Sequence, residues 1–366
     1  MKKLLLLLLL CLTPLLAGCS SLYSQRRELE QLRLVETMGL DAAPFGLELS
    51  LNSAASEDEE PRCYRGTGLS LSQAMEQLRL RAGEELFCGH LYTILVGESC
   101  AEQGLEALLS AVCRSSDLRL DQPVLLVLDG RAGSAMAQGG DLSAALRALL
   151  PDQERTGALS SAGAILRDLN RQGSSLIRAL RMEPSSEEGG NGCALVPGGY
   201  GILSPEGLLA QLSPEEGLAA ELLTDSLSPC PLVIRDEQGR AVTLELQSSR
   251  LQLQPLWDRE GAISGLDLRI RVQAAVLEIE GFPPVAEETY LNELSSRLED
   301  VLSRRAGTVL ELSRELGKDF LGLGRRLELA APLRCRGLSR DLGTQLPSLS
   351  LRLDLQGELL HSNDFR

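Results

Sequence analysis

One cysteine near the start of the chain has neighbours that specify a chemical modification. Leu16, Ala17 and Gly18 precede Cys19, and small residues before a cysteine at the end of an apolar run are the pattern of a bacterial lipobox. The pattern predicts thioether attachment of a diacylglycerol to the Cys19 thiol by the cell's own machinery. Cys19 then becomes the first residue of the mature chain.

The residues before Cys19 have the three parts of a secretory signal peptide. Lys2 and Lys3 supply positive charge, a mostly apolar run follows, and small residues end it. An apolar run of about 14 residues is too short to cross roughly 30 Å of hydrocarbon as a helix. We therefore expect residues 1–18 to be removed and the chain to be exported and held at the membrane by lipid alone. An ordinary signal peptide cut elsewhere is the alternative.

Two arginines follow shortly after the predicted lipidation site. Arg26 and Arg27 lie in a polar stretch, where they can contact anionic lipid or an acidic loop of a partner. The alternative interpretation is ordinary surface charge at the start of a helix or strand.

The other residue types that carry chemistry form no recognisable site in the sequence. The two histidines, His90 and His361, are far apart, and there is no Gly-x-Ser-x-Gly, phosphate-loop, His-Glu-x-x-His or Gly-x-Gly-x-x-Gly motif. We interpret His90, which follows Gly89 at the start of a buried strand, as a structural residue that hydrogen-bonds neighbouring backbone. We expect no enzyme activity, no metal and no cofactor beyond the lipid on Cys19.

Seven further cysteines follow Cys19. They are widely spaced and include no Cys-x-x-Cys, which disfavours a zinc site or a dense disulfide framework. Most are predicted to be small buried hydrophobic residues, and one or two disulfides stay open as an alternative. The seven are Cys63, Cys88, Cys100, Cys113, Cys193, Cys230 and Cys335.

The amino-acid composition disfavours nucleic acid as a partner. The 366 residues include 51 Asp and Glu against 36 Lys and Arg, and only 3% of the chain is aromatic. An acidic body repels phosphate backbones, and few aromatic rings are available for stacking on bases, so we expect no nucleic-acid binding.

The first half of the sequence alternates strands and helices, and the second half is richer in strands. Strands are predicted at 32–40, 45–52, 91–96, 124–128, 232–234, 241–246, 251–256, 266–279, 327–331 and 349–355, and helices at 69–86, 98–112, 133–138 and 287–316. Ser213 is predicted to cap a helix that begins at Pro214, and Gly322-Leu323-Gly324 to reverse the chain.

These elements predict an α+β fold of mixed β-sheets packed with helices in two to three subdomains. A long amphipathic helix is expected to lie on a largely antiparallel sheet in the C-terminal half. The Pro-, Ser- and Gly-rich stretch 184–192 is the best linker candidate. Residues 19–190 are therefore predicted as an N-terminal α/β domain and 191–366 as a C-terminal α+β domain, with 191–228 as a separate small middle subdomain in one alternative.

Four stretches of the sequence are similar, in order, to segments of one protein family. They resemble the C-subunit lipoproteins of bacterial spore nutrient-germinant receptors, the GerAC-like or Ger(x)C family. The family's tryptophans after the lipidated cysteine and after the final glycine turn are absent here. The four stretches are Arg26-Arg27-Glu28-Leu29 with Gly39-Leu40-Asp41, Phe87-Cys88-Gly89-His90 with Ile94 to Glu98, Gly201-Ile202-Leu203 with Leu212 to Glu216, and Lys318-Asp319-Phe320-Leu321-Gly322-Leu323-Gly324.

The resemblance implies a lipid-anchored, non-catalytic subunit on the extracytoplasmic face of the spore inner membrane. It would work there with integral-membrane receptor subunits of the A and B types in nutrient-triggered germination. Only Cys19 is carried over as a site residue. We expect a role in assembly and not in nutrient sensing, because the sequence shows no convergent polar site.

Two other functions stay open at this point. A solute-binding lipoprotein of a membrane transporter would need a ligand cleft between two similar α/β lobes with parallel sheets. A lipid-anchored hydrolase would need His90 beside a nucleophile.

Overall fold

The computed structural model describes residues 32–53, 61–137, 142–149, 160–184, 193–281 and 288–360. The strands are β1 Leu32–Ala43, β2 Gly46–Ser53, β3 Cys63–Gly68, β4 Glu85–Phe87, β5 Thr93–Gly97, β6 Val124–Leu128, β7 Ser175–Pro184, β8 Cys193–Ser204, β9 Gly207–Leu212, β10 Cys230–Arg235, β11 Ala241–Trp257, β12 Ile263–Ile279 and β13 Ser350–Leu360. The helices are α1 Leu71–Ala82, α2 Glu98–Glu102, α3 Glu106–Arg114, α4 Ala132–Met136, α5 Leu142–Leu149, α6 Ala162–Gln172, α7 Pro214–Thr224, α8 Glu288–Leu316, α9 Leu323–Ala330 and α10 Leu338–Gln345.

The first sheet has parallel strands at its centre and antiparallel strands at its edges. Its order is β3-β2-β1-β5-β6-β7-β8-β9, with the short β4 paired to β1. The pairs β1–β5, β5–β6 and β6–β7 are parallel. Every residue of β5 and β6 is buried, since helices cover both faces of the parallel strands. This double burial is why both strands are continuous apolar runs in the sequence.

The second sheet carries the long helix predicted from the sequence. Strands β10, β11 and β12 are antiparallel, and β13 lies parallel to β12 at the edge. Helix α8 packs on this sheet through a stripe of leucines and a valine. The expected α+β architecture is confirmed, with the parallel β13 pairing as the mixed element of a largely antiparallel sheet.

The two sheets share one large hydrophobic core. Leu176, Tyr200 and Ile202 of the first sheet belong to the same buried cluster as the inner faces of β11, β12 and α8. A second cluster fills the space between the first sheet and α1, α3 and α6. The shared core brings the end of α6 close to the segment that follows α8.

The predicted strand at 327–331 is wrong, because this segment is helix α9. Leu327 and Leu329 alternate as they would on a half-buried strand, but only Leu327 is buried and Leu329 is 69% exposed. Leu323 and Leu327, four residues apart, form the buried face of the helix.

Three predicted bounds also change. Helix 69–86 ends at Ala82 because Gly83 adopts a left-handed conformation, and Leu86 belongs to β4. Helix 98–112 divides into α2 and α3 around Gly104. Strands 241–246 and 251–256 are one long strand, β11.

The predicted linker lies between two strands that pair with each other. Strand β7 ends at Pro184 and β8 begins at Cys193, and the two are antiparallel neighbours in the first sheet. That sheet therefore extends past residue 190 to Leu212. The division of the chain into domains stays a prediction. Within the described ranges, no helix is both long enough and apolar enough to span a bilayer.

Candidate functional site

The site residues predicted from the sequence lie outside the described part of the chain. This applies to the lipobox residues Leu16, Ala17, Gly18 and Cys19, to Arg26 and Arg27, and to His361. Their roles stay predictions.

The structure contains a polar cleft of about 840 Å³, which no single sequence segment predicts. One wall comes from residues 89–92 and from residues 119–123, which lead into β6. Helix α6 and the start of β7 form the floor, and residues 320–329 form the opposite wall. We call this feature the polar cleft. Segments that are distant in the sequence therefore meet in one polar lining, which the sequence by itself does not show.

A buried aspartate holds the wall formed by residues 320–329. Asp319 accepts hydrogen bonds from the backbone N–H groups of Leu323 at 2.9 Å and Gly324 at 2.7 Å. Gly322, directly before Leu323, is left-handed with φ 69°, so the chain reverses as predicted and α9 begins at once. Burial raises the pKa of Asp319 to about 7, although the backbone N–H groups act in the opposite direction.

The α9 helix then presents two arginines to the polar cleft. Arg326 donates through Nη2 to the carbonyl oxygen of Thr224 at 2.7 Å, and its Nη1 lies 3.5 Å from Oδ2 of Asp225. Arg325 Nη1 lies 3.7 Å from Oδ1 of Asp168 on α6. Arg326 is therefore tied to the end of α7, and Arg325 faces α6 across the cleft.

The Asp168 carboxylate lies close to two arginines, Arg325 and Arg167. Its Oδ1 also accepts a hydrogen bond from Nε of Arg167 at 3.1 Å, and its side chain is only 15% exposed. Burial raises the pKa of Asp168, and the neighbouring arginines partly offset this. At the rim, Arg119 and Asp121 pair with each other at 2.6 Å.

Several buried polar atoms around the cleft lack a hydrogen-bond partner among the described residues. Gln122 donates through Nε2 to the carbonyl of Leu91 at 3.0 Å, and Gln172 does so to Ser174 at 3.2 Å. The Oε1 atom of each glutamine and Nε of Arg325 are buried and unpaired within the described ranges. Buried polar atoms in folded proteins are nearly always satisfied, so this concentration marks the cleft as unusual.

His90 lies at the cleft but not in the role predicted for it. It is exposed, and its ring meets the ring of Phe87 edge-on at 6.1 Å between centroids. The hydroxyl of Ser161, which also lines the cleft, already accepts from the N–H of Ala164 as a helix cap. The other lining serine, Ser175, donates its hydroxyl to the carbonyl of Leu176 at 3.4 Å. Neither serine contact supports the hydrolase hypothesis.

The seven described cysteines occupy buried, half-buried and exposed positions, so the prediction that most of them are buried is wrong. Cys88, Cys100 and Cys335 are buried, and Cys63 and Cys193 are exposed. Burial raises the pKa of Cys88 to about 11 and of Cys100 to about 12, so both thiols stay protonated and unreactive near neutral pH.

A second, more apolar cavity of about 550 Å³ lies beside α7. Glu221 of α7 accepts hydrogen bonds there from Arg178 at 2.9 Å and from the hydroxyl of Tyr200 at 2.8 Å. The Arg178 guanidinium also lies 5.0 Å from the centre of the Tyr200 ring. These three residues link β7, β8 and α7, so we interpret them as a structural junction.

The sequence analysis singled out two segments of the cleft but did not predict that they lie close together. It singled out the Gly89-His90 pair and the Asp319 to Gly324 turn, both of which lie at the cleft or directly behind it. It missed Gln122, Asp168, Gln172 and Arg325, because each resembles an ordinary surface residue when taken alone.

Comparisons with known proteins agree with the fold and with the family resemblance. Residues 25–161 match the family model described as the spore germination protein N-terminal domain. The crystal structure of the GerBC protein is similar over 88% of this chain and 96% of that chain, with a TM-score of 0.58 and 16% sequence identity. At that identity the structural match shows a shared fold. The curated proteins searched include no significant sequence match. The resemblance to the GerAC-like, or Ger(x)C, spore germination proteins is thus confirmed by the family model over residues 25–161 and by the shared fold.

Proposed function

We propose that this protein is the lipid-anchored, non-catalytic C-subunit of a spore nutrient-germinant receptor. It acts in germination by assembling with integral-membrane subunits of the A and B types. The observation that carries this proposal is the match of residues 25–161 to the spore germination N-terminal domain. The GerBC-like fold over most of the chain supports the same class of protein.

The anchor would do more than localise the protein. A single acyl chain binds a membrane only marginally, whereas two or three chains, at about 0.8 kcal/mol per buried CH₂, give stable residence. A body confined to the bilayer surface has a high effective concentration near membrane partners, so modest contacts suffice for assembly. Arg26 and Arg27, close to Cys19 in sequence, would add a contact to anionic lipid or to an acidic loop of a partner.

The solute-binding alternative receives less support. It requires two similar lobes with parallel sheets, whereas the described residues form a long mixed sheet and a four-stranded, largely antiparallel sheet. We therefore propose the assembly role. The polar cleft weakens one argument for a pure assembly role, namely that the sequence shows no convergent polar site.

Complementation of a deletion strain tests the proposal. In a strain that also lacks related C-subunit genes, the wild-type gene should restore germination through the cognate receptor. Cys19→Ala should fail to restore it and should not incorporate an alkyne-labelled fatty acid. Arg26→Gln/Arg27→Gln should be labelled normally but germinate more slowly.

Cys11→Ala is the matched control, because Cys11 lies in the same leader but outside the lipobox. It should be labelled and should germinate like the wild type. Labelling of Cys19→Ala, or normal germination of the uncomplemented deletion strain, would contradict the proposal.

A further inference from the structure

The polar cleft is locally cationic within an acidic protein. The whole chain has a formal charge of −15. At the rim of the cleft Arg119 pairs with Asp121, and Arg326 pairs with Asp225, but Arg167 and Arg325 share the one carboxylate of Asp168. Such a local excess of guanidinium groups favours an anion, and the planar fork of arginine matches a carboxylate.

The same lining also offers hydrogen-bond acceptors. Oε1 of Gln122 and Oε1 of Gln172 are buried and unpaired among the described residues, and both side chains line the cleft. The residues themselves are only 3% and 8% exposed. A ligand with hydroxyl or amino groups would satisfy these oxygens, whereas a bare inorganic anion would not.

We propose that the polar cleft binds a small carboxylate that also carries hydroxyl or amino groups. Arg325, whose Nε has no partner among the described residues, and Arg167 contact the carboxylate. The glutamine oxygens and Asp168 accept hydrogen bonds from the other groups of the ligand. A singly charged carboxylate fits better than a phosphate dianion, because Asp168 and Asp121 in the same lining repel the second negative charge.

This binding site goes beyond the proposed receptor role and is tested without receptor partners. The probes are gluconate, L-lactate and L-glutamate, titrated calorimetrically at millimolar concentration into the full-length lipoprotein in detergent. Glucose is the uncharged counterpart of gluconate, and inorganic phosphate is the competing oxyanion. We expect saturable binding of at least one carboxylate, and much weaker binding of glucose and phosphate.

The variants Arg325→Gln and Arg167→Gln should each weaken carboxylate binding by about tenfold or more, because a charge-assisted hydrogen bond is lost. Arg340→Gln is the matched control. Arg340 lies on the neighbouring helix α10, is 78% exposed and does not line the cleft. Thermal unfolding of each variant establishes that it is folded. If one of the two cleft variants is not folded, the other variant alone tests the proposal.

Three outcomes would overturn the proposal. They are the failure of all three carboxylates to bind, an equal loss of affinity in Arg340→Gln, and tighter binding of phosphate than of any carboxylate. None of them touches the receptor role, since germination of the complemented strain is measured separately.

Discussion

At the scale of single residues, Asp41 and Asp319, the two aspartates in the stretches that resemble the family, stabilise the starts of helices. Asp41 accepts from the backbone N–H groups of Ala132 and Gly133, both at 2.8 Å, as Asp319 does from Leu323 and Gly324. Both side chains are completely buried, and both hold the first N–H groups of a helix that has no other cap. Their chemistry is therefore that of a helix cap supplied from outside the helix.

Asp319 also predicts a pH dependence of stability. Its pKa is about 7 in the folded protein and near 3.8 in an unfolded chain, so between these values the native state binds more protons. The free energy of unfolding should therefore fall as the pH rises from about 4 to about 7. Asp319→Asn should lose this contribution and be destabilised by about 1–3 kcal/mol through its backbone contacts. The gap between wild type and variant should be widest at the acidic end.

Urea unfolding across this pH range measures that gap. Asp341→Asn is the control, because Asp341 is a half-exposed carboxylate on the adjacent α10. A gap between wild type and Asp319→Asn that stays constant with pH would show that Asp319 does not titrate as argued.

At the scale of elements, the local capping signal correctly placed the start of α7. Ser213 and Glu216 form a complete capping box at the start of α7, with Pro214 in the first turn. Helix α8 runs without interruption from Glu288 to Leu316, so Gly307 inside it leaves the helix intact. Nothing in the described structure lies within 4 Å of the position that a Cβ on Gly307 would occupy.

Gly307→Ala should therefore stabilise the protein. Alanine is about 1 kcal/mol more favourable than glycine inside a helix, and here no contact opposes the added methyl group. Thermal unfolding should show a higher midpoint. Gly324→Ala is the contrasting variant, because its Cβ would lie 2.5 Å from the backbone oxygen of Leu338. It should lower the midpoint, and a lower midpoint for Gly307→Ala would contradict the argument.

At the scale of the whole molecule, the two sheets are joined by a continuous core and by a polar junction. The largest hydrophobic cluster contains residues of both sheets and of α7 and α8. Glu221 of α7 bonds to Arg178 on β7 and Tyr200 on β8, and Arg326 of α9 bonds to the end of α7. The sheets are therefore expected to unfold together.

Two probes in different sheets test this cooperativity. Trp257, the single tryptophan, lies on β11 of the second sheet, and the amides of β5 and β6 report on the centre of the first. Trp257 fluorescence and amide hydrogen exchange should give the same free energy of unfolding. Glu221→Gln should lower both by about 1–3 kcal/mol, because Arg178 loses its charged partner.

Glu215→Gln is the control on the same helix, since the Glu215 side chain is 71% exposed. It should leave both values unchanged within about 0.5 kcal/mol. A Glu221→Gln effect on the fluorescence alone would show that the two sheets unfold separately.

The sequence by itself determined what depends on near neighbours along the chain. The Ser213 cap, the buried strands β5 and β6 and the long helix α8 were predicted and are present, because caps and hydrophobic periodicity are local properties. The lipidation signal at Cys19 is equally local and stays a prediction. Strand-like alternation failed at Leu327 and Leu329, since only the packing of α9 decided which leucine was buried.

The polar cleft was decided by the tertiary structure alone. Gln122, Asp168 and Arg325 come from a loop and two helices that are distant in sequence, and each is unremarkable in its own segment. The shared core of the two sheets brings α6 and α9 face to face, and Asp319 orients the start of α9 from within that core. Their meeting depends on contacts between distant segments, which no local pattern of residues encodes.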